Sequence, residues 1–148
     1  MRSDSQYTVG IHTLMLVAFF KEDSITSEKV ARSIGCNPVI VRNVFSKLKA
    51  AGLLNTGLGR KRTELGRPAS EITLYDIYTA TESGDVDTMF KMYEANPGCP
   101  VGPNIHEILA SRFERARNAM LDELKKTTLE ELVSELPPER NRLPEHLR

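Results

Sequence analysis

Cysteine is scarce in this sequence: two thiols among 148 residues cannot make the disulfide framework that staples small extracellular domains, and a reducing cytoplasm suits the chain best. Long apolar runs are also missing. The longest, Leu14 to Phe20, has seven residues, against the ~20 of a helix that crosses a bilayer. No secretory leader is legible, since Asp4 follows Arg2 closely and no small-residue cleavage site comes after that run. Internal repeats and low-complexity tracts are absent. So is catalytic machinery: no nucleophile stands at recognisable spacing from a base and an orienting group, there is no phosphate-binding glycine loop, and His12, His106 and His146 are scattered. An enzyme is not expected. The length allows about one ordinary domain, with no room for a catalytic domain beside a regulatory one.

What is present begins with 40% hydrophobic residues, enough for a packed core. The net charge of zero conceals a polarity along the chain. Residues 1–70 carry 11 Lys and Arg against 5 Asp and Glu, and residues 71–148 carry 9 against 15. A basic half suits a polyanion, while an acidic half limits indiscriminate binding.

The pattern is mainly helical. Ile11, Leu14, Met15 and Ala18 repeat at the spacing of a one-faced helix over 9–20. Thr26 as N-cap, Glu28 in the first turn and Gly35 as a left-handed terminus bound a short second helix. Asn37-Pro38 opens a third, which buries Val41, Val44, Phe45 and Leu48 and stops at Gly52. Leu53-Leu54 reads as a short strand, and the basic, glycine-punctuated stretch 57–67 as a long loop returning through a second strand near Ile72. Thr73 and Asp76 form a capping box for a helix to about Ser83. The prolines of Asn96 to Pro103 exclude helix and central strand, leaving a tight linker. Ile105, Ile108, Leu109, Phe113, Ala116, Met120 and Leu124 then mark an apolar stripe. They predict a helix of roughly 22 residues or ~33 Å, long for so small a domain. Thr128 and Glu131 cap a last helix through Leu129, Leu132, Val133 and Leu136, ended by Pro137-Pro138. From Glu139 the tail is charged and expected to be mobile.

The second and third helices meet the requirements of a helix-turn-helix. Ala31 permits close approach, Gly35 takes the left-handed turn, and Val30, Ile34, Val41 and Val44 close a small aliphatic core. Asn37, Val39, Arg42, Asn43 and Ser46 then face outward, flanked by Lys47 and Lys49. Arg and Asn carry the forked donors and acceptors that read guanine and adenine edges, and Ser and Lys suit phosphates. Arg60-Lys61-Arg62 at the hairpin tip make a cationic wing, which turns the motif into a winged helix.

Together these residues resemble the Rrf-type bacterial transcription regulators, the family of IscR, NsrR and CymR. The resemblance rests on Ile11 to Leu16, on Val44 to Leu54, on Arg67-Pro68 with Glu71 to Ile77, and on the long helix that leads to Thr128-Leu129-Glu130-Glu131-Leu132. Asn37-Pro38-Val39 and Asn96 to Gly102 are similar to the YwnA-like branch. The resemblance implies a homodimer whose long helices cross, placing two winged helices on successive major grooves of double-stranded DNA. It divides the chain into a DNA-binding domain at 1–83, a linker at 84–103, dimerisation helices at 104–136 and a tail at 137–148. Iron-sulfur members carry three close cysteines before the long helix; here that region has only Cys99, so no cluster or other cofactor is expected. Cys36, before a helix N-terminus and one turn from Arg32, is the candidate redox thiol, with Cys99 as its resolving partner in the other subunit. The expected function is transcriptional regulation, by repression and with a thiol response. The alternative is an adaptor or effector-sensing regulator acting through an enzyme or a small metabolite.

Overall fold

The computed structural model of the chain describes residues 6–57, 62–82, 90, 93–94, 96–138 and 142–148. Helix α1 (Gln6–Phe19) is the central member, burying Val9, Leu14, Val17 and Ala18. Helix α2 (Ser27–Ile34) starts at Thr26, whose hydroxyl accepts from the Lys29 amide, and ends at Gly35 with φ +82°. That left-handed turn strains any side-chain-bearing residue. Helix α3 (Pro38–Ala50) starts from Asn37, whose side chain accepts from the Val39 amide, and buries Val41, Val44 and Leu48.

The wing stands on strands β1 (Leu54–Asn55) and β2 (Glu64–Leu65), which pair antiparallel with Leu54 opposite Leu65. The returning strand is therefore not near Ile72. Gly66 closes the hairpin by donating to the Leu53 carbonyl at 2.9 Å, and Pro68, which has no amide hydrogen, turns the chain away into a 3-10 turn at Ala69–Glu71. Ile72 is fully buried and has extended backbone, but its carbonyl accepts from Leu129, 2.7 Å away and far along the chain.

Helix α4 (Leu74–Thr81) carries the full Thr73–Asp76 capping box. Helix α5 (Gly102–Leu124) is 23 residues long, and Pro103 lies in its first turn. Helix therefore begins inside the stretch expected to be a tight linker, because a first-turn proline has no hydrogen bond to lose. Helix α6 (Leu129–Ser134) returns to pack on α1, and its N-cap Thr128 bridges Thr73. One core thus joins α1, α2, α3, α4, α6 and the wing base, with Leu14, Val30, Leu48, Ile77 and Leu129 sealed from solvent.

Of the tail expected to be mobile, residues 139–141 lie outside the described residues, and 142–148 lie against the core. Leu143 is buried in the same core, its amide donates to Asp23 at 3.1 Å, and Arg32 donates to the Arg148 carbonyl at 2.8 Å. Burial of a leucine outweighs what the net charge of the segment suggests.

Candidate nucleic-acid interface

The recognition surface follows from the geometry of α3. Because Val41, Val44 and Leu48 point into the core, successive 100° steps place Val39, Arg42, Asn43 and Ser46 on the opposite side. All of these are exposed, Val39 to 52%. An aliphatic side chain left that open on a polar face has a thymine methyl as a suitable partner. Ser46 donates to the Arg42 carbonyl at 3.2 Å, and Asn37 is exposed but already engaged as the cap of α3. Lys49 is exposed at the end of the helix.

Lys47 is placed differently. Its ammonium donates to the Gln6 side chain and to the Thr81 carbonyl, so it ties α3 to α1 and to the end of α4. It sits on the flank of α3, half-buried, rather than on the outward face.

Glu28, on the first turn of α2, has its carboxylate 3.7 Å from the Arg42 guanidinium. The backbone amide at the start of α2 holds this carboxyl below its ordinary pKa, helped by the Ser27 hydroxyl, Arg42 and Thr26. In the sequence, Glu28 stands out only as a first-turn acid. Its spacing from Arg42 is uninformative until the turn folds α2 against α3.

In the wing, Arg60 and Lys61 lie outside the described residues. Arg62 is exposed; it donates to the Lys21 carbonyl at 3.4 Å and stands 3.8 Å from Glu22, which anchors the wing base to the turn after α1. Arg67 braces the other side through a 2.7 Å ion pair with Asp76, the capping acid of α4. Its buried Nε has no hydrogen-bond partner among the described residues. The Arg67-Pro68 pair was legible as a motif, but its bracing role was not.

The stripe on α5 is only partly covered. Leu121 is the buried residue of that helix, Ile108 is 53% exposed and Ala116 is exposed. Ile105, Leu109, Met120 and Leu124 are half-buried. Phe113 is an exception in kind, since its ring stacks on Phe90 of the same chain at 4.4 Å. A second apolar surface lies on α1, where Ile11, His12, Met15, Phe19 and Phe20 line a cavity of about 530 Å³. His12 bonds Ser33 at 2.9 Å, and burial lowers its pKa.

The two thiols also separate. Cys36 is half-buried and packs against the core. Cys99 is exposed, and the Gly102 and Val101 amides at the start of α5 lower its pKa. The start of α5 thus favours a thiolate at Cys99, the residue expected to act as the resolving partner.

A family model described as Rrf2, iron-dependent transcriptional regulator, matches residues 3–135. The donors here do not fit an iron-sulfur cluster in one chain. Cys99 is the one cysteine of the linker, Cys36 lies in the helix-turn-helix, and among the described residues no three metal-ligating side chains gather. YwnA of Bacillus subtilis (strain 168), named as an HTH-type transcriptional regulator, is 33% identical over 134 residues, covering 90% of this chain and 98% of that protein. A crystallised protein described as DNA-binding is 31% identical with a TM-score of 0.68, covering 86% of this chain and 98% of its own. Oxidised CymR of Staphylococcus aureus shares the fold with a TM-score of 0.66 at 21% identity, covering 93% of this chain and 99% of its own. These neighbours make the fold a winged helix-turn-helix, and the relatives are regulators of transcription, not enzymes. With a family match that spans most of its length, the chain belongs to the Rrf2 family of transcriptional regulators.

Proposed function

We propose that this chain is a homodimeric, sequence-specific DNA-binding regulator that represses transcription from the cytoplasm without a resident iron-sulfur cluster. The observation that carries this reading is the outward face of α3, where Val39, Arg42, Asn43 and Ser46 are exposed together on a rigid helix-turn-helix. Arg42 and Asn43 supply base-edge donors and acceptors, and the wing cations supply phosphate contacts. Dimerisation is supported by the partly exposed stripe of α5 and by the apolar cavity on α1. A second chain provides a partner for both, and a two-fold dimer matches a palindromic operator. A dimer clamped on a promoter excludes polymerase by occupancy, which is the basis for reading it as a repressor. The test is a salt titration of gel shifts on the chain's own upstream region, with light scattering for mass. A dimer whose complex weakens steeply with salt and prefers one sequence supports the reading; a monomer, or an adaptor-like chain without DNA preference, overturns it.

The thiol response belongs to the same reading. Cys99, exposed and held toward the thiolate by the amides at the start of α5, attacks peroxide, and the sulfenic acid formed condenses with Cys36 of the other subunit. One disulfide forms, peroxide is reduced to water, and two electrons leave the thiol pair. Mild oxidation followed by non-reducing electrophoresis checks it. A dimer band absent from both Cys36→Ser and Cys99→Ser is expected, and an all-monomer gel from the oxidised wild type contradicts it.

A further inference from the structure

Resting on the DNA-reading function above, we propose that Glu28 is a positioning residue that sets specificity, holding the Arg42 guanidinium for a base edge and against capture by phosphate. The pair joins two helices. Glu28 stands on the first turn of α2 and Arg42 on the outward face of α3, 3.7 Å apart. Their backbones are fixed relative to each other by buried Val30, Ala31, Val41 and Val44 and by the Gly35 turn.

Both side chains are more than half exposed, at 53% and 57%. An ion pair so open to water contributes little to folding. What it controls is the direction in which a long, flexible cation points. A guanidinium has five N–H donors, so a carboxylate on one edge leaves others free for the O6 and N7 of guanine.

The two DNA targets differ in charge. A guanine edge is neutral and can share the guanidinium with Glu28. A phosphate against the same group stands beside a second anion and is repelled. In helix-turn-helix complexes the first helix crosses the DNA backbone, which brings the start of α2 to the phosphates. Phosphates are the commonest hydrogen-bond partners of proteins on DNA and carry no sequence information. Glu28 therefore penalises the indiscriminate contact and spares the informative one.

The experiment uses the full chain and a duplex that the wild type itself selects from a randomised pool, compared with a scrambled duplex of equal length. Dissociation constants are measured for Glu28→Gln, Glu28→Asp, Arg42→Ala and Glu28→Gln with Arg42→Ala. Glu28→Gln should tighten binding to the scrambled duplex by about three- to tenfold and to the selected duplex by clearly less, so the specificity ratio falls. Glu28→Asp, which keeps the charge, should restore most of the ratio. In the Arg42→Ala background, Glu28→Gln should shift both duplexes equally. A Glu28→Gln chain with the wild-type ratio, or an unchanged loss of ratio when Arg42 is already alanine, overturns the inference while leaving the DNA-reading function standing. A wild type that enriches no sequence overturns both.

Discussion

In the proposed function, base readout turns on Arg42. Arg42→Ala should weaken binding to the specific site by about 1–3 kcal/mol and relax preference at one base pair. Competition gel shifts measure this, and equal loss on random DNA would reassign the side chain to a phosphate. His12 gives a prediction of another kind. Burial lowers its pKa from the ordinary 6.5, so the folded chain takes up a proton less readily than the unfolded one. Its effect on stability is absent at neutral pH and grows as pH falls through about 6.5. A His12→Gln variant should therefore lose less melting temperature than the wild type between about pH 7 and pH 5. Parallel loss in both would remove His12 from the acid response. At this scale the outward residues of α3 were legible because helical geometry alone sorts Val39, Arg42, Asn43 and Ser46 from Val41, Val44 and Leu48. Lys47 was not, because its partners Gln6 and Thr81 approach it only through packing.

Among elements, the helix starts were the easiest to read, since Thr26, Asn37, Thr73 and Thr128 cap amides only two or three residues away. The returning wing strand was not, because pairing of Ile72 with the entry to α6 depends on contacts far along the chain. Two glycines separate conformation from space. Gly35 has φ +82° and open surroundings, so Gly35→Ala should cost about 1–2 kcal/mol in urea unfolding. At Gly66 a Cβ would lie 2.0 Å from the Gly52 carbonyl oxygen. Gly66→Ala must move backbone, and it should lose at least about 1–3 kcal/mol along with wing-dependent binding. A Gly66→Ala chain that keeps its wing-dependent binding would contradict this reading of the wing base. Removing the wing cations Arg60, Lys61 and Arg62 should lower the slope of log affinity against log salt by about two to three units. The lower value is favoured because Arg62 already faces Glu22. An unchanged slope would leave the tip as a solvated loop.

For the whole molecule, the apolar stripe of α5 stood out in the sequence because its period and length exceeded what one small domain can cover. The tail did not, since charge patterning says nothing of the pocket that receives Leu143. Ile108, at 53% exposure, is a sensitive place to probe assembly. Ile108→Glu should shift light-scattering mass from dimer toward monomer while the helix-turn-helix stays folded. If two copies of the chain read DNA through α3, footprinting on a duplex selected by the wild type shows both copies at once. A two-fold symmetric footprint is expected, with half-sites about 34 Å apart, one helical turn, and in Arg42→Ala the same footprint should need more protein and tolerate changes at one base pair of each half-site. Protection that follows no sequence, or a single asymmetric half-site at saturating protein, would contradict it.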